Sequence, residues 1–482
     1  MCNERSLPTA FLAKMERLLG GEYEAFLNSY GEQRRYGLRR NPLKITEEDF
    51  LRVMPFPLQK ISWAREGYYY DAVSQPGRHV LHEAGAYYIQ EPSAMAVVEA
   101  LAPKPGERIL DLCAAPGGKT TQIAGKMQGE GLLVANEVIG DRAKILSQNV
   151  ERMGIANCVV CSEKPERLST LFSAFFDRVL VDAPCSGEGM FRKEEAARGE
   201  WSETAVLMCA ERQMAILREA AKLVKPGGVL VYSTCTFSPE ENEGTISAFL
   251  RENNAYDIEE ISFADLLAPG RPDWLEHAAP GIGQTARLWP HRLAGEGHFV
   301  ARLRRNGNAG VEETEVEESK AASEKRFDRK KNRKGNVGKE DSQLSGEAAL
   351  FLEKELEIKE AWNKKHAGRM IRFGEQIYLT PCEMPALTGI RILRPGLQLL
   401  TEKKNRFEPA HALALSLLPD DIGKRQDVSL AEASAWLRGE SLSSQGEKGW
   451  TALFYEGFCI GFGKASGGQM KNHYPKGLRK SL

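Results

Sequence analysis

Five short apolar runs alternate along the chain with stretches whose apolar residues recur at helical spacing. The runs are Arg108 to Leu112, Leu132 to Asn136, Cys158 to Cys161, Arg178 to Val181 and Val229 to Tyr232. Between the last two, Ala210 to Val224 sets Met214, Leu217, Ala221 and Val224 on one helical face, and Pro226-Gly227-Gly228 is expected to stop that helix before the next strand. Continuous apolar strands separated by amphipathic helices predict an α/β, Rossmann-like parallel sheet covered on both faces, spanning residues 87–305. Ligands of such sheets bind at the carboxyl ends of the strands.

The flanking segments follow other patterns. Residues 1–86 suggest a small separate α+β unit, with Phe11, Met15, Leu18 and Leu19 at helical spacing. Residues 306–342 hold almost no aliphatic side chains and separate acids (Glu312 to Glu318) from bases (Lys325 to Lys334), the composition of a flexible linker. In residues 343–482, Ser429-Leu-Ala-Glu432 is a capping box opening a helix through Trp436, and Trp450 to Tyr455 and Phe458 to Phe462 flank Glu456-Gly457 as a hairpin. The tail is therefore read as β-rich.

Length and composition narrow the class. A chain of 482 residues exceeds a single core and divides into several domains. No uncharged apolar run approaches the ~20 residues of a membrane helix, and Met1-Cys-Asn-Glu-Arg5 opens no signal peptide, so a cytoplasmic protein away from membranes is expected. Nine scattered cysteines do not form a secreted disulfide framework. Net charge of -1 does not decide for or against nucleic acid. Two local stretches, Arg34 to Lys44 with five cations and Lys471 to Lys480 with four, read equally as solvated surface or as phosphate contacts.

The first apolar run leads into Asp111-Leu-Cys-Ala-Ala-Pro-Gly-Gly-Lys119, a strand, a glycine-bearing loop and a helix start. Gly117 and Gly118 allow close backbone approach, and the helix start offers N–H groups to an anion. The loop matches neither the dinucleotide nor the nucleoside-triphosphate fingerprint. Glu137 closes the second strand, where a carboxylate can accept bonds from ribose hydroxyls. An adenosine-bearing cofactor without phosphates fits, and S-adenosyl-L-methionine is the candidate. Glu163, after the third run, faces either the adenine or solvent. Cys158 and Cys161 have the spacing of half a zinc site, but three apart on a strand they point to opposite faces, and no metal is expected.

Asp182 and Cys185 share the turn after the fourth run, and Cys235 follows the fifth. A parallel sheet delivers all three to the edge that carries the cofactor loop. Cytosine C5 does not attack a methyl group unaided, whereas thiolate addition at C6 makes an enamine that does. Such chemistry needs one attacking cysteine, a partner for the ring and a group that assists release. Cys113, Cys209, Cys382 and Cys459, by contrast, read as small buried hydrophobes.

Together these residues resemble the Nop/Sun family of RNA (cytosine-5) methyltransferases, and in particular its bacterial RsmF-like ribosomal branch. The resemblance runs through Tyr88-Ile-Gln-Glu-Pro-Ser-Ala-Met95, the Asp111 to Lys119 loop, Asp182-Ala-Pro-Cys-Ser-Gly187, Ser233-Thr-Cys-Thr236 and Pro239-Glu-Glu-Asn242. It implies a class I methyltransferase sheet with an N-terminal RNA-binding unit. Cys113, Ala114, Ala115, Pro116, Gly117, Gly118, Lys119, Glu137, Glu163 and Asp182 would form the S-adenosyl-L-methionine and base site. It also implies that Cys235 attacks C6 and that Cys185 assists breakdown of the covalent intermediate. After the linker, Phe407 to Leu413, Gly461 to Lys464 and Lys471 to Leu478 are similar to an RNA-binding portion with a PUA-like end, where Tyr474 or His473 would stack on RNA or serve the structure. Ribosomal RNA of the small subunit is the implied partner, with transfer RNA methylation and non-catalytic ribosome assembly as alternatives. No oligomeric state is specified, and a monomer is compatible.

Overall fold

The computed structural model describes residues 7–307, 342–366, 368–381, 389–404, 406–444 and 446–480. Its central sheet holds five parallel strands: β1 (Arg108–Asp111), β2 (Leu132–Asn136), β3 (Cys158–Cys161), β4 (Phe176–Asp182) and β5 (Val224–Thr234). They lie in the order β5-β4-β1-β2-β3, so each predicted run is a strand and the order reverses at β1, where a ligand crevice belongs. Two antiparallel strands, β6 (Ala286–Leu288) and β7 (His298–Arg305), continue the sheet beyond β5.

Both faces are covered. Ile109, Leu133, Val160, Leu180 and Val231 pack in one layer with Leu146 and Val150, while Leu110, Val134, Val159, Val181 and Leu230 pack in the other with Met214 and Leu217. Cys158 joins the first layer and Cys161 the second, the opposite directions expected of two residues three apart on a strand.

The helix before β5 differs from expectation at both ends. It spans Glu203–Leu223, starting where the Ser202 side chain accepts a bond from the Ala205 N–H. Val224 already belongs to β5, and Pro226-Gly227-Gly228 lies inside that strand as an irregularity where the pairing with β4 shifts register. Proline is tolerated near a strand start, where few ladder bonds depend on it.

Residues Gln59–Lys60, Gly67–Tyr70, Tyr36–Arg40 and Tyr87–Ile89 form the N-terminal sheet, which thus extends past the boundary expected at residue 86. Helix Thr9–Leu19 does not serve that unit's own core. Its buried Phe11, Met15 and Leu19 pack on the domain of the central sheet, Phe11 meeting the rings of Phe191 at 5.0 Å and Trp201 at 5.8 Å, while Leu18 is only half-buried.

The Arg34 to Lys44 stretch is largely neither solvated nor open to phosphate. Arg39 is buried and donates to Gln90 Oε1 (3.1 Å), Gly118 O (3.2 Å) and Thr121 Oγ1 (2.7 Å). Arg40 donates to Ile45 O at 2.5 Å, Lys44 to Ala84 O at 2.6 Å and Arg34 to Glu296 Oε1 at 2.9 Å. Only Arg35 is left exposed. Arg39 and Arg34 thus fasten the N-terminal unit to the domain behind it, while Arg40 and Lys44 tie together loops within the unit.

Residues 308–341 of the expected linker lie outside the described ones, and helix Ser342–Leu350 follows them. Strand β8 (Ile392–Arg394) pairs antiparallel with β3, so the tail closes one edge of the central sheet. Arg394 also donates to Ser147 Oγ at 3.1 Å and pairs with Glu151. A four-stranded sheet surrounds the first part of the tail, and a five-stranded sheet forms its end. In the latter, Gly449–Tyr455 and Phe458–Ser466 are the expected hairpin, with Glu456 and Gly457 both at positive φ as a two-residue turn demands. The capping box of Ser429 and Glu432 opens helix Leu430–Arg438.

Candidate active site

β4 and β5 are adjacent and parallel, with Asp182 opposite Ser233. The loops that follow them therefore meet, and the Sγ atoms of Cys185 and Cys235 stand 3.4 Å apart. Asp182 accepts from Ser233 Oγ at 2.7 Å and from Lys119 Nζ at 2.7 Å, which brings the helix after β1 to the same place.

The charges are arranged as ions. Burial acts to raise the Asp182 carboxyl, but the Lys119 ammonium, His298 and two hydrogen bonds hold it below its ordinary value. Burial acts to lower Lys119, and the Asp182 charge outweighs it, so the ammonium is held above its ordinary range. Cys185 is pushed well above its ordinary value, first by its contact with Cys235 and then by burial, and keeps its proton.

On the cofactor side, Gly117 has φ +115°, and a Cβ there would also meet the Leu146 side chain at 3.2 Å, so glycine is required. The loop is tied down through its own backbone. Ala114 N donates to Asn136 O (2.8 Å), while Ala115 O and Pro116 O accept from Arg142 (3.0 Å) and Asn149 (2.9 Å). Glu137 is 4% exposed, with one carboxylate oxygen accepting from Ile139 N at 2.9 Å and the other 3.7 Å from Arg142.

A cavity of about 970 Å³ runs between these groups. Cys113, Ala115, Glu137, Asp182, Cys185 and Cys235 line it. Val138 and Ile139, each about half exposed, add an apolar wall that a planar ring would cover. Ala114, Pro116, Gly117, Gly118 and Lys119 shape the site from behind without being among its lining residues. Glu163 is not brought to the cavity. Its carboxylate accepts from Arg391 N at 2.6 Å and lies 3.8 Å from Arg167, drawn towards the segment that leads into β8.

Among the other cysteines, Cys158, Cys161 and Cys459 are buried, Cys113 and Cys209 are half-buried on the cavity wall, and Cys382 lies outside the described residues. Of the two rings read as stacking on RNA or serving the structure, Tyr474 serves the structure: it is 4% exposed and meets His411 edge-on at 5.0 Å. His473 packs against Trp450 at 4.5 Å.

Sequence comparison agrees with this architecture domain by domain. Residues 98–304 match the 16S rRNA methyltransferase RsmB/F family, and residues 7–92 match the N-terminal domain of 16S rRNA methyltransferase RsmF. Residues 353–417 match the RsmF first C-terminal domain, and residues 424–480 the RsmF PUA domain. The ribosomal RNA small subunit methyltransferase F of Vibrio campbellii is 32% identical, over 98% of this chain and 97% of its own. That of Erwinia tasmaniensis is also 32% identical, over 98% and 96%. This chain belongs to the ribosomal RNA small subunit methyltransferase F family. It is accordingly a methyltransferase acting on ribosomal RNA, with S-adenosyl-L-methionine as methyl donor. Among solved structures, a methyltransferase homolog protein from Pyrococcus horikoshii is 28% identical with a TM-score of 0.55, covering 62% of this chain and 95% of that one. NSun6 from Pyrococcus horikoshii, at 22% identity and TM-score 0.53 over 62% and 98%, shares the fold.

Family membership leaves the supporting residues of the site to be read from the geometry. Glu188 is completely buried and accepts from Phe237 N (2.7 Å), Ser238 N (2.8 Å) and Trp201 Nε1 (2.9 Å), pinning the turn after Cys235. Nothing local in Gly187-Glu-Gly189 signals this, because all three donors come from elements remote in sequence. Arg287 is equally hidden. It pairs with buried Glu243 and donates to Phe237 O at 3.0 Å.

Proposed function

We propose that the protein methylates C5 of a cytosine in RNA of the small ribosomal subunit, with Cys235 as nucleophile and Cys185 as the group that assists release. The observation that carries this reading is the 3.4 Å pairing of two thiols beside the Asp182–Lys119 ion pair at one end of the cavity. S-adenosyl-L-methionine fits the other end by chemistry: a buried carboxylate, Glu137, for ribose hydroxyls, and the apolar side chains of Val138 and Ile139 for the adenine. When bound, it supplies an electrophilic methyl group.

The chain's own groups do the rest. The Cys235 thiol gives its proton to water, the thiolate sulfur adds to C6, and the C5–C6 electron pair displaced into the ring makes C5 nucleophilic. Asp182, held as a carboxylate, accepts from the exocyclic amine, while the Lys119 ammonium stabilises charge that develops on the ring. Cys185 keeps its S–H beside Cys235. After C5 has lost its proton to water, the C6–S bond breaks, its electron pair returns to Cys235, and the Cys185 S–H donates to that sulfur.

Substitution separates the two roles. Cys235→Ala is expected to lower methylation by about a thousandfold or more and to form no covalent protein–RNA adduct. Cys185→Ala is expected to accumulate the adduct on a denaturing gel. An adduct that persists in Cys235→Ala overturns the assignment. Bisulfite sequencing of total RNA from cells with and without the protein identifies the methylated nucleotide, and a site outside small-subunit RNA overturns the substrate reading.

A further inference from the structure

Cys185 is held from both sides. The residue before it, Pro184, has its carbonyl oxygen bound by Gln213 Nε2 at 3.1 Å, and the same Nε2 donates to Glu241 Oε2 at 2.8 Å. The residue after it, Ser186, donates its backbone N–H to Glu241 Oε2 at 3.0 Å and its hydroxyl to Glu241 Oε1. Ser186 Oγ also lies 2.8 Å from Thr236 Oγ1, next to Cys235. One carboxylate thus gathers the loop of Cys185, the loop of Cys235 and helix Glu203–Leu223.

Glu241 and Gln213 are both fully buried, and neither has a role in the reaction described so far. A buried carboxylate stripped of water costs stability unless donors surround it, and here three donate. Two of those donors belong to Ser186, adjacent to the releasing cysteine. The remaining groups that face the carboxylate are Cys185, Cys209, Glu188 and Tyr232, none of them a cation. Burial raises this carboxyl to about 7, and in its ionised form its charge is among the influences that keep the Cys185 proton in place.

We propose that Glu241, through Ser186 and Gln213, is a positioning residue that fixes Cys185 against Cys235 and so sets the rate at which the methylated RNA is released. The inference rests on the Cys235 and Cys185 roles given above. In the release step the C6–S bond breaks with its electron pair going to Cys235 Sγ, the C5 proton goes to water, and the Cys185 S–H donates to the departing sulfur. Glu241 touches none of these atoms. Loss of its hold leaves attack intact and slows departure.

Two RNAs distinguish those steps in the full-length protein. On a small-subunit RNA transcript carrying 5-fluorocytosine, with S-adenosyl-L-methionine present, release after methyl transfer is blocked because C5 has no proton to lose, so the trapped adduct reports attack and methyl transfer without release. On the ordinary transcript, adduct at steady state reports slow release. Glu241→Gln keeps the shape of the side chain and removes its charge. It is expected to form the 5-fluorocytosine adduct at the wild-type rate, to accumulate adduct on the ordinary transcript, and to lose turnover about tenfold or more, the scale of a small misplacement in an active site. Ser186→Ala is expected to do the same more weakly. Wild-type turnover in Glu241→Gln, or equal losses on both RNAs without accumulation, overturns the inference and leaves the cysteine roles standing. A wild-type protein that forms no adduct with the 5-fluorocytosine transcript, or a Cys235→Ala variant that does, overturns the cysteine roles and the inference with them.

Discussion

The catalytic edge of the central sheet and the β-rich end of the chain use polar side chains in opposite ways. At the edge, charged groups are buried or half-buried and held by specific partners: Lys119 by Asp182, Arg287 by Glu243, Glu188 by the turn after Cys235. In the tail, Tyr474, one of two rings open to a role on RNA, is folded into the packing against His411, while His473 stays exposed with its ring on Trp450. Buried ions in the first region fix the geometry of reacting groups at a cost in desolvation. In the second, Tyr474 is core and burial keeps the His411 ring beside it neutral. A residue type therefore reveals its task only through what surrounds it.

The sharpest break in that comparison lies at Arg287. It is 1% exposed and pairs with an equally buried Glu243, so Arg287→Met leaves a buried carboxylate without its cation and is expected to cost about 3–5 kcal/mol. Urea denaturation measures this, and an unchanged midpoint would show the edge to be held by something else. Next in size is Glu137→Ala, which removes the buried carboxylate of the cavity that we propose for the ribose. The KM for S-adenosyl-L-methionine is expected to rise about tenfold to a hundredfold at unchanged stability, and an unchanged KM denies Glu137 that role.

The terminal domain is tested by acid. Burial pushes His411 down to about 4 from its ordinary 6.5, so over that interval the unfolded chain takes up a proton that the folded chain refuses. Stability conferred by this neutral ring is complete above pH 6.5 and is lost as the pH falls towards 4, by about 2 kcal/mol between pH 7.5 and 5. His411→Phe is expected to flatten this part of the pH dependence in urea titrations. An unaltered slope would move the acid sensitivity to other groups.

What could be read from the chain alone follows from the range of the interactions involved. Strands β1 to β5, the Gly117 turn and the two cysteine loops were legible because apolar runs, glycine and motif spacing are local signals. The Arg34 to Lys44 stretch was not, because Arg39 finds Gln90 and Thr121 only when the N-terminal sheet docks. Glu163 stayed open between adenine and solvent for a related reason: its partner, Arg391 N, arrives from the tail more than two hundred residues later. Glu188 was missed although it lies three residues after Cys185, since its donors come from Trp201 and from the turn after Cys235. Motif spacing locates reacting groups, while the ions that hold them are chosen by long-range contacts.

The smallest effect tests the terminal domain through a purely local signal. Ser429 accepts from Glu432 N at 3.3 Å, and Glu432 Oε2 accepts from Ser429 N at 2.8 Å, a reciprocal pair on an exposed helix start far from any buried ion. Ser429→Ala removes one half of the cap and is expected to cost about 1 kcal/mol, read as a lowered urea midpoint with no change in KM for S-adenosyl-L-methionine. Because Trp436 of that helix is fully buried in the terminal core, fraying at Ser429 reaches the packing directly. A loss several times larger would mean that the cap, like the charges at the catalytic edge, organises contacts beyond its own turn.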